Sequence, residues 1–353
     1  MDSITTTTYA IHFNNVAYTM LNKHLEESNY SKVFIIVDEN THNYCLAQFM
    51  ASIHVDCPFE IIEIEAGELH KTITTCTHVW EAMSELDGDR KSLVINLGGG
   101  VITDLGGFVA SAFKRGIAFI NVPTTLLAMV DASVGGKTGV DLGMLKNQIG
   151  VINQPKMVLI IPEFLATLDE RQRNSGFAEM LKHGLIADAA YWEQLKNLQS
   201  FAEIKGAISY SIRIKNKVVQ QDPTEQNIRK VLNFGHTLGH AIESYFLDHP
   251  EYKMLLHGEA IAAGMVLEGF LSEQLTGLST EHRDTIKTTF LKRFGKLNFL
   301  DSDIEAILEL LKFDKKNSHG NINFVLLKTL GEAIYDIQVP ANLLNASFAY
   351  YKE

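Results

Sequence analysis

Cysteine is scarce in this chain. The 353 residues hold three, Cys45, Cys57 and Cys76, an odd number at irregular spacing with no Cys-x-x-Cys pair. That excludes a disulfide framework and a cysteine zinc knuckle, and it is the usage expected of reduced thiols in a cytoplasmic protein. Positive charge is also short: 31 Lys and Arg stand against 42 Asp and Glu, a net charge of −11. With no Lys/Arg-rich block either, a nucleic-acid platform is excluded. No uninterrupted apolar run reaches the roughly 20 residues that a membrane helix needs. The start, Met1-Asp2-Ser3-Ile4 and four threonines, lacks the basic and apolar regions of a secretory signal. Internal repeats and low-complexity linkers are missing too, so the chain reads as folded domains joined directly. At this length, with 46% hydrophobic residues, it has material for two domains or one large one.

What is present concentrates in residues 94–150. This run holds Gly98-Gly99-Gly100, Asp104, Arg115, Pro123-Thr124-Thr125, Asp131, Gly135-Gly136-Lys137-Thr138 and Lys146-Asn147. Glycines and cations at the ends of apolar strands offer backbone amides and positive charge to phosphates. The run points to a phosphorylated small molecule, a nucleotide, or both.

The first half alternates short β-branched runs with helical periodicity. Strands are expected at 33–37, 61–64, 93–96, 118–122 and 157–161, and an added strand or hairpin within 5–13. Helices are expected at 42–51, 73–86, 103–112 and 126–133. This is the pattern of βαβ units around a mostly parallel, Rossmann-like sheet, with ligands at the carboxyl ends of its strands. After Pro162 helical periodicity takes over to about residue 315, with helices expected at 163–168, 176–185, 201–220, 229–246 and 258–275, and a late strand at 323–327. The expected organisation is an α/β domain over 1–162 and an all-α domain over 163–353, with the site in the cleft between them.

Gly98-Gly99-Gly100 follows a strand and opens a helix, which suits a pyrophosphate. Thr103 occupies the third glycine position of a Rossmann fingerprint, and a ligand-free glycine turn is an equal reading. Asp38-Glu39-Asn40 and Gly67-Glu68 put carboxylates past two other strands, as ribose contacts or as helix caps. Gly135-Gly136-Lys137-Thr138 lacks the upstream spacing of a P-loop, which leaves a monophosphate clamp or a solvated turn. In the helical half stand Glu179, Lys182, His183, His236, His240 and His257. His236 and His240 share one helix face, and imidazoles with a carboxylate suit a zinc ion with an open position. Spacing alone does not choose among these ligands. Gly235 and Gly239 cost a helix about 1 kcal/mol each, so something must approach that backbone closely.

Taken in order, these strings resemble the 3-dehydroquinate synthase family, over residues 38–327. They include Leu97-Gly98-Gly99-Gly100-Val101-Ile102-Thr103-Asp104, the run from Val122 to Asp131, Gly176-Phe177-Ala178-Glu179-Met180-Leu181-Lys182, the run from Leu232 to His240, and Leu256-His257-Gly258-Glu259. Thr103 and Gln148 depart from the commoner glycine and leucine, and neither removes a functional group. The resemblance implies a phosphorus–oxygen lyase converting 3-deoxy-D-arabino-heptulosonate 7-phosphate to 3-dehydroquinate and phosphate, by NAD-dependent oxidation, β-elimination, re-reduction and aldol closure. It implies metal ligands at Glu179, His236 and His257, with zinc or cobalt as the ion and His240 outside the ligand set. It implies an NAD site at Asp38, Asn40, Glu68, Lys71, Gly99, Gly100, Val101, Asp104, Thr124 and Thr125, with Lys137 and Lys146 adjoining. Catalytic work falls to Lys137, Lys182, Lys215, Glu225 and His240. Substrate binding falls to Arg115, Asp131, Lys146, Asn147, Arg229, Asn233 and one of Lys315 and Lys316. A homodimer acting on a small sugar phosphate in aromatic amino-acid biosynthesis is implied as well. Another sugar phosphate cyclase, or a metal-dependent polyol dehydrogenase of the same fold, is the alternative.

Overall fold

Six apolar runs, each followed by a turn, pair side by side in parallel. In the computed structural model the described residues are 3–143, 145–198, 200–249, 251–311 and 322–353. The strands of the first half are β1 (Ser3–Thr5), β2 (Ala10–Phe13), β3 (Val33–Asp38), β4 (Phe59–Ile64), β5 (Leu93–Gly98), β6 (Ala118–Pro123), β7 (Lys137–Leu142), β8 (Leu145–Ile152) and β9 (Met157–Ile160). Seven of them form one sheet in the order β1-β2-β9-β6-β5-β3-β4. Only β1 is antiparallel to its neighbour. The apolar positions of β3 and β5 are fully buried, as strands covered on both faces require. The chain runs from β3 outward to β4, then returns to β5 on the other side of β3. That reversal is a topological switch point, where a crevice opens beyond the strand ends. Asp38 ends β3 and Gly98 ends β5.

The helices of this half include α1 (Asn14–Glu27), α2 (Ile73–Glu85) and α3 (Gly100–Ala112). α3 lies in the core, with Ile102, Leu105 and Val109 packed against Phe34, Val94 and Phe119. Three segments differ from the expected helices: His42–Leu46, at the start of the helix expected over 42–51, is π-helical. Residues 126–133 contain a π-helical turn, Ala128–Ala132, and Pro162–Thr167 is 3-10 helix. The antiparallel hairpin β7–β8 was not expected from sequence. Gly139 faces Gly150 across it, so closely that a Cβ on either would strike the opposite backbone. Glycine there satisfies the close pairing and erases the alternation that marks a strand.

By internal contacts the chain divides into residues 1–173 and 174–353. The second unit is built on α4 (Glu170–Ala187), α5 (Ala189–Lys196), α6 (Phe201–Gln221), α7 (His236–Asp248), α8 (His257–Thr276), α9 (Thr280–Phe294), α10 (Asp301–Leu310) and α11 (Ala341–Lys352). It also carries an antiparallel pair, β10 (Asn323–Thr329) and β11 (Glu332–Gln338). α8 is its axis, buried along most of its length. The single helix expected over 229–246 is broken: Ile228–Asn233 is 3-10, and Gly235 at φ +79° separates it from α7. Only glycine takes that conformation without strain. Among the described residues, no helix is long and apolar enough to cross a membrane.

Candidate functional site

The first unit gathers its polar residues at the switch point. Gly99 caps α3 without a side-chain bond, which leaves first-turn amides aimed at the crevice. Thr125 covers Gly99, where a Cβ would sit 3.0 Å from the threonine methyl carbon. Thr124 N–H donates to the Gly98 carbonyl at 2.9 Å. Gly100 and Val101, also expected at the cofactor, start the helix half-buried. Thr103, in place of a third glycine, is buried and donates its hydroxyl to the Gly100 carbonyl. Asp38 caps the short turn after β3, accepting from Thr41 N–H at 2.8 Å, and Asn40 lies exposed beside it.

A network of charges closes the side of this crevice. Buried Lys71 Nζ donates to Asp104 Oδ2 at 2.7 Å and to Asn147 Oδ1 at 2.6 Å, and lies 3.9 Å from Glu68. Lys146 Nζ donates to Glu68 Oε1 at 2.7 Å. Asp141 was missed in the sequence, yet it ties the network together. Its carboxylate accepts from the Asn147 N–H at 2.6 Å and lies 3.8 Å from Lys146, and its own N–H donates to the Lys71 carbonyl. Burial works against the Lys71 charge, but Asp104, Glu68 and Asp141 outweigh it and hold its pKa above the ordinary lysine range. Burial pushes Asp104 and Asp141 up, with Lys71 pulling the other way.

The other expected residues of this unit lie on neighbouring segments. Lys137 is exposed at the start of β7, after Gly135 (φ +108°) and Gly136 (φ +70°). Asp131 lies in the π-helical turn. Arg115 is exposed at φ +74° past the far end of α3. The 13 residues of α3 span about 20 Å, so Arg115 is not beside the glycine turn of its own chain.

In the second unit, glycine contacts draw three helices together. A Cβ on Gly258 would strike the Ser175 carbonyl of α4, and one on Gly264 would strike the Gly235 carbonyl ahead of α7. One on Gly239 would lie 2.7 Å from Ile261. The close approach inferred at Gly235 and Gly239 is therefore α8 itself. Glu268, fully buried on α8, accepts from Gly235 N–H at 2.6 Å and Leu238 N–H at 3.2 Å, a cap supplied from the neighbouring helix. Glu259 accepts from Leu256 N–H at 2.8 Å and fixes the start of α8 at His257.

Glu179 on α4, His236 on α7 and His257 on α8 meet as a result. Glu179 Oε1 lies 3.7 Å from His236 Nε2 and 3.8 Å from His257 Nε2. That oxygen is buried and has no hydrogen-bond partner, while Oε2 is ion-paired with buried Lys182. His236 Nδ1 donates to the Phe234 carbonyl at 3.1 Å, and His257 Nδ1 faces Glu243 Oε2 at 3.1 Å. A carbonyl or carboxylate only accepts, so in the neutral imidazoles the proton sits on Nδ1 and both Nε2 atoms carry lone pairs toward Glu179. Atoms about 2.1 Å from one tetrahedral ion sit about 3.4 Å apart. An orphaned carboxylate oxygen and two lone-pair nitrogens at nearly that spacing fit a divalent cation. His240 is close by: one ring nitrogen from each of His236, His240 and His257 lies within 4.8 Å of the other two.

Below α6, which carries buried Lys215, Asp222 shapes the loop into α7. Its carboxylate accepts from the N–H groups of Gln226 (3.0 Å), Asn227 (2.6 Å) and Arg229 (3.1 Å). Burial pushes Asp222 up, but these amides and the Arg229 charge prevail and hold it below the usual carboxylate range. Glu225 sits in this loop at φ +61° and accepts from Asn233 Nδ2 at 2.7 Å. Arg229 is buried, one guanidinium nitrogen fixed on the Pro223 carbonyl at 2.6 Å. Lys315 and Lys316 lie outside the described residues. Glu243, missed in the sequence, was open to detection: it follows His236 and His240 at the spacing i, i+4, i+7. Asp222 and Glu268 act on backbone amides and leave no such signal.

Residues 61–175 match the family described as 3-dehydroquinate synthase N-terminal, and residues 176–317 match 3-dehydroquinate synthase C-terminal. The 3-dehydroquinate synthase of Parabacteroides distasonis is 40% identical over 334 residues, 93% of this chain and 94% of that protein. The 3-dehydroquinate synthase of Sulfurovum sp. is 39% identical over 324 residues, 91% of each. Among solved structures, 2-deoxy-scyllo-inosose synthase complexed with carbaglucose-6-phosphate, NAD+ and Co2+ superposes with a TM-score of 0.84 at 24% identity, covering 99% of both chains. The 2-epi-5-epi-valiolone synthase of Streptomyces hygroscopicus with NAD+ and Zn2+ gives a TM-score of 0.80 at 25% identity, over 100% of this chain and 99% of that one.

Proposed function

The chain belongs to the 3-dehydroquinate synthase family, and from that premise we propose that it is the lyase converting 3-deoxy-D-arabino-heptulosonate 7-phosphate to 3-dehydroquinate and phosphate. One observation carries the reading: 40% identity across 93% of the chain to a protein of that name. The glycine turn at the switch point supports a resident NAD, and the facing atoms of Glu179, His236 and His257 support a divalent ion, zinc or cobalt. When bound, these groups supply a temporary hydride acceptor and a Lewis acid for substrate oxygens.

The chain's own residues have distinct parts in this reading. Asp38, Glu68, Lys71 and Asp104 hold the cofactor through a full cycle. Lys182 fixes the unshared oxygen of Glu179. Arg229 offers a planar fork, pre-aimed by the Pro223 carbonyl, to the substrate carboxylate. Lys137, Lys146 and one of Lys315 and Lys316 neutralise the phosphate and Asn147 donates to it, while Asp131, Lys215 and Asn233 orient hydroxyls. Glu225 and His240 handle the remaining protons. Arg115, about 20 Å along α3 from the glycine turn, serves the phosphate of a second subunit in a homodimer. The working place is the cytoplasm, in keeping with free thiols of which burial pushes Cys45 up to about 11 and Cys76 up to about 12.

The test uses pure protein, substoichiometric NAD+, Zn2+ and the heptulosonate phosphate, following phosphate and NADH together. Many turnovers of phosphate without net NADH are expected. Stoichiometric NADH without phosphate would make this an ordinary polyol dehydrogenase. Preference for sedoheptulose 7-phosphate or glucose 6-phosphate would make it a sister cyclase.

A further inference from the structure

We propose that Glu243 is a positioning residue for His257, holding that imidazole in the tautomer and orientation in which its Nε2 serves a divalent cation. The proposal rests on the metal reading of the Glu179, His236 and His257 cluster. Its observation is separate: a contact of 3.1 Å between Glu243 Oε2 and His257 Nδ1, made from α7 to the first residue of α8. Glu243 is 7% exposed. Burying a carboxylate is costly unless it is paired, so a glutamate at this place needs a partner with a proton to give. The Nδ1–H of His257 is such a partner.

The two histidines of the cluster are restrained in the same sense by different means. Phe234 offers His236 a neutral carbonyl, and Glu243 offers His257 a charged carboxylate. Each fixes the proton on Nδ1 and turns Nε2 toward Glu179. The carboxylate does more, because a negative charge behind the ring raises the basicity of the far nitrogen. Glu243 thereby reaches the ion through His257, without touching it.

The experiment is zinc affinity of the full-length, metal-stripped protein, measured by competition with a chromophoric chelator. Wild type, E243Q, H257A and the double variant are compared, and folding of each metal-free protein is checked by thermal unfolding. Glutamine keeps the size of the side chain and removes its charge. E243Q is expected to bind zinc about 10–100-fold more weakly than wild type, and to shift the visible spectrum of the cobalt-loaded protein. In the H257A background the same change should cost nothing further, since the ring it acts through is gone. Unchanged zinc affinity in E243Q overturns the proposal, whatever happens to unfolding temperature. An equal loss with and without His257 overturns it too, and assigns Glu243 a general structural role. If wild type itself binds no zinc, it is the metal reading of the cluster that fails.

Discussion

The two units solve opposite electrostatic problems. In the first, each buried charge at the crevice has its counter-charge in the chain: Lys71 with Asp104 and Glu68, Lys146 with Glu68 and Asp141. In the second, helix packing forces acceptors toward one another. A carboxylate oxygen and two imidazole nitrogens face inward, and Lys182 meets the other side of the carboxylate. The first arrangement is complete within the protein and keeps its side chains aimed before any ligand arrives. The second leaves facing acceptors for which the proposed cation would be the counter-charge. The proposed cofactor and metal sites should therefore respond differently to loss of one member.

The largest effect is expected where the missing charge comes from outside. His236→Ala removes an inward nitrogen and should abolish stable zinc binding, with turnover falling by more than the 10–100-fold usual for partners behind a ligand. His240→Ala should keep its zinc and lose turnover through its proton role. Metal content after dialysis decides between them. Zinc retained in His236→Ala and lost in His240→Ala would replace the assigned trio by one that includes His240.

The internally paired network should fail by a different route. Lys71→Met leaves half-buried Asp104 without its cation; breaking a fully buried pair costs about 3–5 kcal/mol, and the partial exposure of Asp104 puts this loss at the lower end. Zinc binding should be untouched. The loss also carries a pH signature. The folded-state pKa of Asp104 is already raised by burial, and removing Lys71 raises it further. A group of this kind contributes stability when protonated, and loses that contribution as pH rises through its folded-state pKa. The variant should therefore be more nearly normal at pH 5 than at pH 8 in denaturant unfolding. Equal destabilisation at both would mean that Asp104 does not carry the cost.

How far each unit could be read in advance follows the same divide. The parallel strands, the glycine turn past β5 and the acids past β3 and β4 were legible, because β-branched runs and turn residues are local signals. The hairpin β7–β8 was not, since the glycines that let its strands approach are those that break a strand pattern. In the second unit the proposed ligand residues came from ordered motif strings. The meaning of Gly235 and Gly239 did not, for their partner Gly264 lies 25 or more residues away on α8. Their contact looks local in sequence and is tertiary in fact. Asp141, Asp222 and Glu268 stayed hidden for a related reason: each carboxylate binds backbone N–H groups, and backbone has no sequence.

Asp222 gives the smallest of the expected effects and the finest view of the comparison. It belongs to the second unit but behaves like the first, a charge satisfied within the protein. Its partners are three amide groups of the loop that carries Glu225 and leads to Arg229. In Asp222→Asn one oxygen becomes an NH2 group, which cannot accept. Either the Gln226 bond is lost, or those of Asn227 and buried Arg229 are, and the second case leaves a buried amide unsatisfied at about 1–3 kcal/mol. Zinc affinity should hold, because Glu179, His236 and His257 are positioned by other contacts. Substrate KM should rise, because Arg229 loses the fixed backbone from which it reaches. The folded-state pKa of Asp222 is lowered, so its contribution to stability is present above the ordinary carboxylate pKa of about 3.9 and is lost as pH falls through the lower, folded-state value. The gap in stability between wild type and variant should accordingly be constant from neutral pH to about 5 and close in acid. If KM stays fixed while stability falls, the loop is held by Asp222 for folding alone, and the placement of Arg229 must come from the Pro223 carbonyl.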